Sequence, residues 1–146
     1  MKVAMAEEFL KTRPTYAPDT DKMPLSPHLQ IWKWTVTMAS SILHRATGIA
    51  LYAGSVLFTL WLLSAAVSQA FYNQVTGLLG SPLGLLVLAG FSWAMMYHLV
   101  NGIKYIIWDS GRLLEKETAK KVVWVVILLS FVLTGLLWAV ALGMKG

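Results

Sequence analysis

Residues 83–108 read LGLLVLAGFSWAMMYHLVNGIKYIIW, and this stretch decides the fold. As a helix rising 1.5 Å per residue it reaches about 39 Å, enough to cross a hydrocarbon core of about 30 Å. One histidine, His98, stands inside this apolar run. An ionisable side chain at such depth marks a functional site by default. Gly90, Ala94, His98 and Gly102 recur at four-residue steps, so they follow one helix face with a drift of about 40° per step. Two arrangements suit that row. Near-bare backbone around an imidazole leaves room for a flat, bulky group such as a haem held by His98. Equally, small residues let a second helix approach closely and accept a hydrogen bond from the histidine.

Composition places the whole chain in the same class. Of 146 residues, 57% are hydrophobic and 13% charged, against about 25% charged in an ordinary soluble domain. No Lys, Arg, Asp or Glu occurs from Ala46 to Ile103, and a second uncharged run covers Val122 to Met144. A soluble domain of this size leaves about a third of its unfolded-chain surface exposed and could not hide so much apolar area. The reading is an all-α integral membrane protein with three transmembrane helices at about 35–67, 83–108 and 122–142. The runs are continuous rather than alternating, which excludes barrel strands. The segment from Ser68 to Pro82 reads as an uncharged loop. Trp32, Trp34 and Trp108 fall at span borders, where aromatic belts form.

Charge sets the expected orientation. Lys2, Lys11, Arg13, Lys22, Lys33 and Arg45 precede the first span, and Lys104, Arg112, Lys116, Lys120 and Lys121 cluster around the second connection. Eleven of the twelve positive residues thus fall on one side, which predicts a cytoplasmic N-terminus. The net charge of +5 then follows from topology and calls for no nucleic acid. Residues 1–34, with Pro14, Pro18, Pro24 and Pro27, read as an extended cytoplasmic segment before the membrane domain of 35–146. Glu7 and Glu8 interrupt the first ten residues, which therefore do not form a signal peptide. This acidic start favours a bacterial inner membrane over a mitochondrial precursor.

The chain has no cysteine, so it offers no thiolate for an iron–sulfur cluster, no covalent haem attachment and no disulfide. No phosphate loop, carboxylate pair or nucleophile triad can be assembled either. Ser41, His44 and Arg45 stand at i, i+3 and i+4 and share one face at the start of the first span. A hydroxyl and a guanidinium there can donate to a quinone carbonyl, whose oxygen gains negative charge on reduction. His44 and Arg45 suit haem propionates equally well, since the guanidinium fork matches a carboxylate. Snorkelling of Arg45 to the headgroups is the plainer alternative.

Ser26-Pro27-His28-Leu29-Gln30-Ile31-Trp32, followed by Ser41-Ile42-Leu43-His44-Arg45-Ala46-Thr47-Gly48, closely resembles the signature of the cytochrome b subunit of succinate dehydrogenase. So does His98-Leu99-Val100-Asn101-Gly102-Ile103-Lys104-Tyr105 with Trp108, Asp109 and Gly111 after it. The resemblance extends over roughly residues 13–142. It implies that His98 is an axial ligand of haem b, with the opposite ligand supplied by a second, smaller anchor subunit. It further implies that Ser41 and Arg45 contact ubiquinone and that His44 and Arg45 meet the haem propionates. An iron–sulfur subunit and a flavoprotein subunit are the implied soluble partners, docked on the cytoplasmic face. Many relatives carry Arg-His where this chain has Lys104-Tyr105, so the positive charge is kept without its fork. Alternatives are a fumarate reductase anchor using menaquinone, a haem-free structural anchor, and a small transporter relaying protons through His98. The last expects further ionisable groups at mid-membrane depth, which the sequence lacks.

Overall fold

The computed structural model describes residues 33–144, all of whose regular elements are helices: α1 (Val36–Val67), α2 (Gln69–Leu79), α3 (Pro82–Asp109) and α4 (Lys116–Gly143). The proline-rich segment before Lys33 and the motif of residues 26–32 lie outside the described residues.

Local chemistry accounts for each helix end. Thr35 starts α1, its hydroxyl accepting from the Met38 N–H at 3.3 Å. Ser68 closes α1 and opens α2: its own N–H donates to the Ser64 carbonyl, while its Oγ accepts from the Phe71 N–H. Ser81 caps α3 in the same manner, with Pro82 in the first turn, where a missing N–H costs nothing. α3 stops at Ser110, and Gly111 turns the chain at φ +77°, a left-handed conformation that glycine adopts freely. Leu113 follows at φ +59°, an uncommon setting for a side chain with a Cβ.

α1, α3 and α4 are each long and apolar enough to cross a membrane, as the sequence leads one to expect. Two boundaries are corrected. Residues 69–79 form α2 rather than a loop, because Ser68 caps its start, Gly80 closes its end and Gln69 bonds Asn73 across one turn at 2.9 Å. Its 11 residues cover only about 17 Å and cannot span. α4 begins at Lys116 rather than 122; the charge boundary marks where polar side chains end, not where the helix starts. Its first turns are water-facing and carry a Glu117–Lys120 ion pair at 2.8 Å.

α3 is the central helix, packed against α1, α2 and α4. The buried positions are mostly small or polar: Ser40, Thr47, Gly54 and Ser64 on α1, and Ala119, Val123, Val126 and Ser130 on α4. Large aliphatic residues point outward instead, Ile49, Leu86 and Leu128 among them. That inversion is what lipid allows, since tails solvate leucine as well as a core does and close backbone approach supplies the packing energy. A Cβ on Gly54 would collide with the Phe91 ring, so glycine there sets the α1–α3 distance. Gly84 does the same against the Leu78 and Leu79 carbonyls, folding α2 onto the start of α3. Gly90 and Gly135 meet nothing within 4 Å and remain open surfaces.

Candidate functional site at the α1–α3 crossing

His98 lies half-buried on α3 where α1 crosses it. Its Nδ1 is 3.2 Å from the His44 carbonyl oxygen and 3.3 Å from Thr47 Oγ1. The Thr47 hydroxyl itself donates to that carbonyl at 2.9 Å, so the carbonyl can accept from both and Nδ1 carries the ring proton. That bond fixes the tautomer and leaves Nε2 as a lone-pair donor. Nε2 has no hydrogen-bond partner among the described residues and does not rank among the buried unpartnered atoms, so it reaches the molecular surface. The His44 ring stacks on His98 with centroids 3.9 Å apart and planes 16° apart. Gly48 makes room for the arrangement, since a Cβ there would stand 3.2 Å from His98 Cε1.

The small-residue row divides in two. Ala94 is only 5% exposed, buried among this chain's own helices. Gly102, one turn beyond His98, would present an added Cβ to open space. Room for a flat group therefore exists on one flank of His98, towards Gly102, and not along the whole row. No three His, Cys, Asp or Glu residues converge among the described residues. A metal at Nε2 would need its other donors from outside the described residues.

Ser41 and Arg45 flank His44 on α1. Ser41 is the one serine or threonine among the described residues whose hydroxyl joins no hydrogen bond; the other helical hydroxyls bond back to a preceding carbonyl or across to a neighbour. Arg45 is exposed and has neither an ion pair nor a hydrogen bond among the described residues. Both donors are thus unused, on the same helix end as the His44–His98 pair.

Beside them is a polar cluster that sequence reading missed. Ser40 Oγ lies 3.0 Å from the Tyr97 hydroxyl and donates to Asn101 Oδ1 at 3.0 Å, while Lys104 Nζ donates to it at 3.3 Å. Lys104 is 2% exposed, with its ammonium 4.3 Å from the centroids of both Tyr105 and Trp108. The spacing 97, 101, 104 is the repeat of a helix seam and was the available signal; hydropathy alone reads Lys104 as a span border. Tyr105 lies against the His44 ring at 5.2 Å between centroids. Lys104 thus turns inward, and Tyr105 supplies ring contact to His44.

Residues 19–137 match the family described as the succinate dehydrogenase/fumarate reductase transmembrane subunit. The chain belongs to this family. It is therefore a membrane subunit of an oxidoreductase assembly. Among relatives of the succinate dehydrogenase/fumarate reductase anchors, the succinate dehydrogenase cytochrome b556 subunit of Paracoccus denitrificans is 42% identical over 98 residues, covering 67% of this chain and 75% of that one. The cytochrome b556 subunit of Rickettsia prowazekii is 35% identical over 118 residues, covering 81% and 92%. The mitochondrial cytochrome b560 subunit of Sus scrofa is 45% identical over 91 residues, covering 61% and 54%.

Proposed function

We propose that this chain is the haem b-binding anchor of a succinate:ubiquinone oxidoreductase and forms part of its quinone site. The observation that carries the reading is His98: its Nδ1 is committed to the His44 carbonyl and its Nε2 is free at the surface. A nitrogen with its lone pair presented at the surface, its ring held through the other nitrogen, is what an axial ligand needs. Family membership and the cytochrome names of the relatives support the same cofactor.

His98 would hold the haem iron on one side, and an imidazole of a second anchor subunit would hold it on the other. Gly102 leaves space beside the ring, and Arg45 and His44 lie within the same helix end to meet the propionates. Haem b supplies a one-electron store beside the quinone. Ser41 and Arg45 act on the quinone itself. The Ser41 hydroxyl donates to one carbonyl, and the Arg45 charge favours the negative charge that develops on reduction. Both donors are free of partners among the described residues, so binding breaks no bond seen there. Electrons arrive from an iron–sulfur subunit fed by a flavoprotein that oxidises succinate, docked at the basic end of the bundle. That end faces the cytoplasm of a bacterial inner membrane, in keeping with the bacterial relatives.

The test is the complex purified with its subunits. We expect a sharp α band on reduction, lost in His98→Ala while the subunits still co-purify. A colourless wild-type complex, or a band unchanged in the variant, overturns the haem assignment and leaves a haem-free anchor. Arg45→Ala should lose quinone reduction and keep dye-linked succinate oxidation; unchanged quinone reduction removes Arg45 from the site. Menaquinone with fumarate is the second reading, since the family description covers both enzymes.

A further inference from the structure

A groove of about 330 Å³ runs between the last turns of α3 and the first turns of α4, on the side of the bundle's basic end. Val100, Ile103 and Ile107 form one wall, and Val122 and Val125 the other. Leu113, held in its left-handed conformation, closes the outer end. At the rim stands Lys121, exposed and without a carboxylate within 4.0 Å among the described residues. It is the last charged residue before the uncharged run of α4, so it lies at the level where water gives way to hydrocarbon.

We propose that this groove holds an acyl chain of an anionic phospholipid, with the lipid phosphate at Lys121. Three observations select that occupant. From residue 109 to 121 four positive side chains (Arg112, Lys116, Lys120, Lys121) face three negative ones (Asp109, Glu115, Glu117). None of these carboxylates lines the groove, whereas Lys104 and Lys121 do, and Glu117 is paired with Lys120 at 2.8 Å. The free charge at the rim is therefore positive, and basic recesses between spans select anionic lipids. Next, α4 has no side-chain cap at its N-terminus, and Thr118 of its first turn lines the groove, so first-turn amides add positive potential at that end, offset in part by Glu117. Finally, the lining is mostly β-branched, with Leu113 and the Lys104 stem beside it, and contains no glycine or alanine. A packed helix prefers small residues at its contact, and this chain offers those elsewhere, at Gly90 and Gly135. A flexible acyl chain fits a ribbed aliphatic slot that a helix does not.

The experiment uses the complex extracted in mild detergent, with lipids that survive repeated washing identified by mass spectrometry. Wild-type complex should retain phosphatidylglycerol over phosphatidylcholine. Lys121→Gln should lower phosphatidylglycerol retention about fivefold, the effect of one surface cation on anionic lipid, and Val125→Trp should expel both lipids by filling the slot. Lys116→Gln, off the groove, should change little. Subunit recovery and the visible spectrum report whether each variant is intact, which separates this proposal from the haem assignment. Equal retention in wild type, Lys121→Gln and Val125→Trp overturns it. So does a Val125→Cys complex that cross-links efficiently to another subunit, which would mean that protein fills the groove.

Discussion

At the scale of single residues, the site depends on which polar atoms are spoken for and which are not. Ser41 makes no internal hydrogen bond, so Ser41→Ala should leave thermal stability within about 0.5 kcal/mol of wild type. Loss of one donor to quinone should nonetheless raise the quinone KM about tenfold. A melting temperature several degrees lower would give the hydroxyl a structural role and remove it from the site. Gly48 is the complementary case. A methyl there would press on His98 Cε1 from 3.2 Å, tilting the ring away from the His44 carbonyl. Disturbing the partners that orient a ligand lowers metal affinity by about tenfold or more. Haem retained per complex after gel filtration should therefore fall in Gly48→Ala, and unchanged haem content would show that the ring has slack. Sequence spacing put Ser41, His44 and Arg45 on one face of a helix, and the lone ionisable group in an apolar run singled out His98; the structure brings His44 and His98 together. It could not show that a backbone carbonyl holds the imidazole, since every residue has a carbonyl and only the crossing of two helices selects one.

Elements are joined here by polar and small residues rather than by a greasy core. Lys104 is buried with Ser40 as its hydrogen-bond acceptor and two aromatic faces beside it. Lys104→Met keeps the volume and removes the charge, so its cost should be small, as for other buried ions replaced by apolar groups. Ser40→Ala removes the acceptor and leaves the ammonium stranded, which should cost about 3 kcal/mol. The order of the two variants in a thermal unfolding series of the complex checks this; a costlier Lys104→Met would mean that the ammonium is needed as a charge. Gly54→Ala drives a methyl into Phe91 and should destabilise by about 1–3 kcal/mol. Three helices were legible from hydropathy because their uncharged runs exceed bilayer length. α2 and the first turns of α4 were not, since neither crosses the membrane and charge alone says nothing of helicity in water. Capping was the overlooked signal: Ser68 and Ser81 bracket α2 in the sequence.

At the scale of the whole molecule, most large aliphatic side chains among the described residues are exposed, and the enclosed cluster there is a small one around Tyr97, Val100 and Val126. Lipid covers part of that surface, and partner helices are expected on the open glycines. Reporter fusions placed after Leu79 and at Leu113 should report opposite sides of the membrane, with the Leu113 site cytoplasmic. Both fusions on one side would break the three-span reading. On the proposed reading, function at this scale is divided among chains, because His98 presents one nitrogen at the surface and a second subunit would supply the other haem ligand. The bond that aims His98 has a genetic corollary. Its acceptor is main-chain oxygen, which persists whatever side chain occupies position 44. A mutational screen for tuning the imidazole would pass over its principal anchor and register only the neighbours that move it, Thr47 and Gly48.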